Sequence, residues 1–324
     1  VAGIRTASGV SRLPWLWAAI AVPALIWGLV GDVPVKATPV RVTLDALAGP
    51  AAAADLDVMT FNLRQANGGP PTWERRRPGM RQLLTTERPH LIGTQEGLAH
   101  QITDIETDLG GRYGRVGVGR RGGTKDEYMA IFYDTARLRV LEQRHFWLSD
   151  TPEVPGSNTW GGKWIRMVTW VRFLDRVTGG QLYAVNTHLD PASAYSRERS
   201  AQLIRDRLAA LAPGVPVVLT GDFNSEPRPG NPVYDILTGP AGLVDTWRAA
   251  AATGPVYRTF HNFEPVREGG ARIDWILATR GATVAAAAIN TYSAPSGQRP
   301  SDHFPVQVRL RLPVATVSDA ALDD

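Results

Sequence analysis

The sequence predicts an α/β fold in which two mixed sheets pack face to face with helices outside. Three observations predict it. From about residue 55, segments with strand and helix patterning alternate. Between residues 127 and 188, four strand patterns then follow one another without a helix. The 324-residue chain is long enough for one large two-sheet domain, and it carries no internal repeat and no second domain.

The elements follow in order. DLDVMTFN (55–62) reads as a strand. Residues 73–87 read as a helix, in which Pro78 must sit in the first turn or interrupt the run. HLIGTQE (90–96) reads as a buried strand, and Leu98, Ile102, Ile105 and Leu109 then recur at helical spacing. Strands are expected at 127–133, 138–148, 165–174 and 181–188. Ile204, Leu208 and Leu211 mark one face of a helix over 197–211, stopped by Pro213-Gly214. VPVVLTGD (215–222), ARIDWIL, ATVAAAAIN and HFPVQVRL supply the remaining strands.

Ahead of these elements, residues 13–31 carry no charge, with Arg5 and Arg12 before them and Asp32 after. A helix of that length rises roughly 28 Å, close to the hydrocarbon thickness of a bilayer. Trp15, Trp17 and Trp27 near its ends suit membrane interfaces. We read residues 1–31 as an N-terminal hydrophobic helix that anchors the chain or serves as a signal segment. The basic flank places the domain outside the cytoplasm, although Lys36 and Arg41 on the far side weaken that orientation. Ala46-Leu47-Ala48 has the form of a signal cleavage site but lies far beyond the apolar run. A buried helix is the remaining alternative. Residues 32–54, rich in Pro, Ala and Val, read as a linker; 55–314 read as the catalytic domain and 315–324 as a disordered tail.

Composition narrows the chemistry. The chain is 44% hydrophobic and 20% charged, ordinary values for a globular protein. The formal net charge of +4 is too mild to imply nucleic acid by charge alone. No cysteine is present, which excludes disulfides, thiolate catalysis and Cys-type zinc sites.

Polar residues recur at strand ends. They are Asn62 in TFNLR, Glu96 in GTQEG, Glu127 in EYMAIFYD, Arg166 in WIRMVTW, and Asn186, His188 and Asp190 in NTHLD. Asp222 and Asn224 follow in GDFN, Thr259 and His261 in YRTFHNF, Asp274 in RIDWIL, and Asp302 and His303 in SDHFP. Taken singly, a strand-end Asn is a turn residue and a lone Glu is solvated. GDFN says more, because the apolar run VPVVLT delivers Asp and Asn together into a loop at a sheet edge. Asp190 reads as a loop cap, since Asp-Pro is a turn signal. His90, His100 and His145 fall outside the motifs.

The ordered set MTFNLR, GTQEG, EYMAIFY, NTHLD, VVLTGDFNS, RIDWIL and SDHFPV resembles the endonuclease/exonuclease/phosphatase superfamily over about Leu56 to Leu312. The resemblance implies a four-layer α/β/β/α sandwich and a divalent-metal-dependent phosphoesterase. Phosphoester hydrolysis puts charge on the non-bridging and leaving oxygens, which a hard cation with oxygen ligands offsets. By resemblance, Glu96, Asn62 and Asp302 hold Mg²⁺ or Mn²⁺. His303 is oriented by Asp274 in a His–Asp dyad. Asp222 and Asn224 position the attacking water and a phosphoryl oxygen. Arg166 and His188 hydrogen-bond the phosphate, and Glu127 orients His188. The implied partner is a phosphate-ester substrate: a phospholipid head group, nucleic acid or a phosphorylated small molecule. A membrane is met through the N-terminus, and no obligate protein partner is evident.

Glu96 is followed by Gly97-Leu98 and the phosphate block is NTHLD, departures that argue against abasic-site repair enzymes. NTHLD looks like the deoxyribonuclease, sphingomyelinase, deadenylase and inositol-phosphatase branches. The Trp-rich segment 146–170 looks like bacterial secreted members. Within it, Trp160 and Trp164 either pack the loop on the sheet or stack on a base, a sugar or lipid. RRRPGMR (75–81) reads either as a solvated helix start or as a phosphate contact. Three readings compete with the leading one: a nuclease acting on extracellular DNA or RNA within the same fold, a non-catalytic membrane-tethered module, and a two-zinc hydrolase suggested by His188-x-Asp190. The non-catalytic module would show lost ligands. The two-zinc hydrolase would need more His ligands than the sequence offers.

Overall fold

The computed structural model describes residues 41–314. Residues 1–40, the apolar run 13–31 among them, and the tail 315–324 lie outside the described residues. Among those described, no helix is long and apolar enough to cross a membrane.

In chain order the elements are α1 (Leu44–Ala48), β1 (Leu56–Asn62), α2 (Trp73–Glu87), β2 (Leu91–Gln95), α3 (Ala99–Leu109), β3 (Tyr113–Val116), β4 (Ala130–Asp134), β5 (Leu138–Trp147), β6 (Met167–Asp175) and β7 (Gln181–His188). Then follow α4 (Ala194–Ala209), β8 (Val217–Asp222), α5 (Pro232–Thr238), β9 (Leu243–Asp245), α6 (Thr246–Ala249), β10 (Ala252–Thr253), β11 (Asp274–Thr279), β12 (Thr283–Ile289) and β13 (Val306–Arg311). One sheet has the order β10-β12-β13-β1-β2-β4-β3 and the other β5-β6-β7-β8-β11-β9. Both are mixed: β1 runs parallel to β2 and antiparallel to β13, and β7 runs parallel to β8, which is antiparallel to β11.

Side-chain alternation separates three apolar layers. Leu56 and Val58 of β1 pack with Val171, Phe173, Ala184, Val218 and Ile276 in the core between the sheets. Met59 and Phe61 point the other way, onto Trp73, Met80, Leu83 and Leu84 of α2 and Ile102 and Ile105 of α3. Val185, Leu219, Trp275 and Leu277 likewise meet Ala201 and Ile204 of α4 and Val233 and Leu237 of α5. The expected helix–sheet–sheet–helix layering is therefore present.

The sheets approach closely at Gly93. A Cβ there would lie 2.0 Å from Thr220 Oγ1 and 2.7 Å from Asn186 Oδ1. In place of a side chain, a polar knot joins the sheets. The Gln95 amide donates to Asn186 Oδ1 (2.8 Å), and the Asn186 amide donates to the Thr94 and Ala130 carbonyls (2.8 and 3.1 Å).

Several elements differ from expectation. α2 runs through Pro78 without a break; its buried face, including Trp73, Met80 and Leu83, outweighs the hydrogen bond that a proline cannot donate. The described part of the presumed linker, 41–54, is seated on the domain. Leu44 is buried against Ala286 and Ala288, and Asp45 pairs with Arg309 at 2.8 Å. β3, α5, β9, α6 and β10 were not anticipated. α5 had a readable start: Asn231 caps it by accepting from Val233 N (3.1 Å), and Pro232 fills the first turn.

Candidate active site

The alternation that builds the core also gathers the polar residues. Asn62, His188 and Asp222 are the last residues of β1, β7 and β8, and each shares its strand's inward face with a core residue four positions back: Val58, Ala184 and Val218. Asp274 opens β11 directly opposite Asp222, and His188 is also in register with Asp222. Four inward-facing side chains thus reach one edge of the sandwich. Glu96 follows β2 in a left-handed conformation (φ 64°), which turns the chain sharply at that edge.

Asp222 is the hub. Its Oδ2 accepts from the Asn62 amide at 3.0 Å, lies 3.4 Å from His188 Nε2 and 3.9 Å from His303 Nε2. Its Oδ1 accepts from Asn224 N at 2.9 Å, a turn that holds Asn224 at φ 47°. The Asn62 amide also donates to Glu96 Oε1 at 2.9 Å, and Asn62 Oδ1 accepts from Arg64 N at 2.9 Å. Burial and the charge of Asp274 push Asp222 up to about 7. His303 Nδ1 lies 2.9 Å from Asp274 Oδ2, the expected dyad. Burial opposes charge on His303, but the charge and hydrogen bond of Asp274, with Asp222 and Asp302, overcome it and push the ring up to about 10.

One expected ligand, Glu96, clusters with two residues that were expected in other roles, His188 and Asp222. Glu96, His188 and Asp222 offer ligand atoms within 4.8 Å of one another. Asn62 bridges Glu96 and Asp222, with its nitrogen rather than its oxygen turned toward them. Asp302 lies outside that cluster, its carboxylate 3.7 Å from Arg64 Nε. Burial raises Asp302, with the charge of Glu96 adding to the effect and those of His303 and Arg64 opposing it. Crowded carboxylates, buried at Asp222 and half-buried at Glu96 and Asp302, all offer hard oxygen donors and fit a divalent cation. Glu96 and Asp222 would hold it, with Asp302 nearby and Asn62 once its amide turns over. His188 fits less well. The Arg166 guanidinium lies 2.9 Å from His188 Nδ1 and donates only, so Nδ1 accepts and Nε2 carries the hydrogen of the neutral ring. Burial and Arg166 hold the ring neutral, its pKa well below the usual range.

That geometry corrects one expectation. Glu127 does not reach His188, whose Nδ1 is occupied by Arg166. It precedes β4 and pairs with Arg120 (2.7 Å) and Arg166 (3.7 Å) instead. Burial pushes Glu127 up to about 7 against the pull of Arg120. Arg120 was not singled out in the sequence; its only signal is a basic pair inside the glycine run RVGVGRRGG (115–123). The Nε–H groups of Arg120 and Arg166 are both buried without a partner among the described residues. One wall of the cleft is therefore cationic and the other acidic. The cleft encloses about 270 Å³, and Gln65, Trp164 and Phe260 also line it.

Supporting residues stand behind these. Thr259 Oγ1 accepts from Ile273 N and Asp274 N (3.0 and 3.3 Å), fixing the start of β11. His261 N donates to the Asp302 carbonyl at 2.8 Å. Both residues are buried, so neither is a plain turn residue. Asp190 caps its loop through Ala192 N and Ser193 N and also accepts from Trp164 N, each at 2.9 Å. Arg76 is fully buried and donates to the carbonyls of Leu63, Arg64 and Pro300, so it neither faces solvent nor meets phosphate.

A sandwich with acid, amide and imidazole groups at this edge defines a class of phosphoester hydrolases. The chain belongs to the Endonuclease/Exonuclease/phosphatase family, whose model matches residues 59–303. A mannosyl-6-phosphatase of Bacteroides thetaiotaomicron is 33% identical, with a TM-score of 0.74 over 79% of this chain and 100% of that one. A family member from Bacteroides vulgatus is 31% identical, with a TM-score of 0.75 over 80% and 99%. A Schizosaccharomyces pombe protein named as a probable RNA exonuclease is 29% identical over 191 residues; the match spans 54% of this chain but 37% of that protein.

Proposed function

We propose that this protein is a divalent-metal-dependent hydrolase of phosphate esters, acting on a phosphorylated carbohydrate. The observation that carries the reading is Asn62 bridging Glu96 and Asp222 beside the His303–Asp274 pair. A cation held there offsets charge on the phosphoryl and leaving oxygens. His303, oriented by Asp274, and Asp222 flank the attacking water across their 3.9 Å gap. Asn224 holds that edge through its hydrogen bond to the Leu189 carbonyl. Arg166 and Arg120, whose Nε–H groups have no partner among the described residues, bind the phosphoryl oxygens. Glu127 keeps the two guanidiniums together. The carbohydrate is supported by the mannosyl-6-phosphatase, which this chain matches over its full length. The apolar run 13–31 supports attachment to a membrane with the domain outside the cytoplasm, or secretion.

The test is turnover of sugar phosphates, inositol phosphates, sphingomyelin, DNA and RNA with Mg²⁺ or Mn²⁺. We expect metal-dependent release of phosphate from a sugar phosphate. Glu96→Ala and His303→Ala should each lower it at least ~100-fold. Metal should also stabilise the native chain, by ~2.7 kcal/mol at a hundredfold excess over Kd, and Glu96→Ala should abolish that gain. Full activity in either variant would refute the assignment.

A further inference from the structure

Three aromatic side chains are strongly exposed among the described residues: Trp164, Tyr195 and Phe260. Two of the three, Trp164 (43% exposed) and Phe260 (40%), line the cleft that holds Asp222, His303 and Arg166. We propose that these two rings grip the sugar ring of the substrate and thereby select the leaving group. The proposal deepens the hydrolase reading and rests on it.

Both rings are fixed in place while left bare. Trp164 is tied by its backbone N–H to Asp190 (2.9 Å), and its indole sits 5.3 Å from the Arg120 guanidinium and 5.4 Å from Lys163 Nζ. Phe260 is bridged through its backbone to His303, and its ring centre lies 5.0 Å from that imidazole. Each aromatic side chain therefore leans on a residue of the reaction site, one on the cationic wall and one on the dyad. The neighbouring Trp160 shows the ordinary alternative. It is buried to 8% exposure and its indole N–H is satisfied by Asp150 at 2.8 Å. Trp164 and Phe260 have no such structural use for their open surface.

The occupant is limited by size and chemistry. A cleft of about 270 Å³ lies below the range typical for drug-sized ligands, so it suits one ring and its phosphate better than a polymer. Aromatic faces bind the C–H faces of a pyranose, and Gln65, which lines the cleft, can meet its hydroxyls. With the phosphate on Arg120 and Arg166, a ring carried on the ester oxygen reaches the aromatic rim.

The experiment is calorimetric titration of the full chain carrying Asp222→Asn to suppress turnover, with Mg²⁺ present. The probes are mannose 6-phosphate, inorganic phosphate and adenosine 5′-phosphate. We expect the sugar phosphate to bind at least ~5-fold more tightly than inorganic phosphate, the low end of stacking on aromatic rings. That advantage should vanish in Trp164→Ala and Phe260→Ala and return in Trp164→Phe and Phe260→Tyr. Persistence of the advantage in both alanine variants would overturn the grip. An advantage for the nucleotide alone would assign the rim to a base and overturn the sugar. Absence of binding by every probe would overturn both the grip and the hydrolase reading. If the advantage holds while the unmodified chain fails to hydrolyse mannose 6-phosphate, only the hydrolase reading falls.

Discussion

Arg76 illustrates how little a single residue's context reveals. It sits in RRRPGMR, where three neighbouring cations suggest a solvated surface. Folding instead buries it and directs it onto the carbonyls of Leu63, Arg64, Pro71 and Pro300. These carbonyls belong to the loops that carry Asn62 and Asp302, so one guanidinium ties both to α2. Burial lowers its pKa to about 10, and the charges of Asp302 and Glu96 resist that shift. Lysine has three donors and no fork, so Arg76→Lys should lose at least one buried charged hydrogen bond, at a cost of ~1.5–3 kcal/mol. Urea unfolding measures the loss, and an unchanged midpoint would mean the loops hold themselves. The dyad was readable because Asp274 and His303 sit in ordered motifs. Arg120 was not, because its meaning depends on Glu127 and Trp164 arriving beside it from other parts of the chain.

At the scale of elements, the strands that carry the site were readable and the polar joint between them was not. The apolar runs placed β1, β7 and β8 to within a residue or two, since long buried strands leave a strong apolar mark on the sequence. β10, with two residues, and β9, with three, are too short to impress any pattern on the sequence. Gly93 appeared only as one apolar position in HLIGTQE. In the fold it is where β2 crosses Thr220 of β8, with no room for a methyl group. Gly93→Ala must therefore push the sheets apart or break the hydrogen bonds of Asn186 and Thr220. Overpacking of this kind costs ~1–3 kcal/mol. Because Asn62, Asp222 and Glu96 sit at the end of the same joint, turnover should fall along with the unfolding midpoint. A variant equally stable and active would show that the sheets slide apart freely there.

The whole molecule divides its polar residues between two ends of the strands. One end crowds acids around Asp222; the other, where β1 and β2 begin, holds a separate buried network. There Arg137 pairs with Asp175 at 2.9 Å, and Asp57 N donates to His90 Nδ1 at 2.9 Å. Burial, aided by the charge of Arg137, lowers the pKa of His90 below 6.5, while Asp57, Asp134 and Asp175 pull the other way. The sign follows from which state takes the proton. Below 6.5 the unfolded chain protonates this histidine and the native chain resists, so the stability it contributes is complete above 6.5 and is lost as pH falls through and below that value. Other groups act in both directions: raised acids such as Asp222 favour the native state at lower pH, and His261, held down to about 2 by burial and Arg299, opposes it. A difference measurement isolates His90. His90→Asn keeps an acceptor for Asp57 N but cannot titrate. In chelator-containing buffer, urea midpoints at pH 7.5, 6.5 and 5.5 should fall more steeply for the parent than for the variant, by at most ~1.4 kcal/mol per pH unit. Parallel profiles would mean that native His90 accepts a proton as readily as the unfolded chain does, and that the network at this end yields to charge.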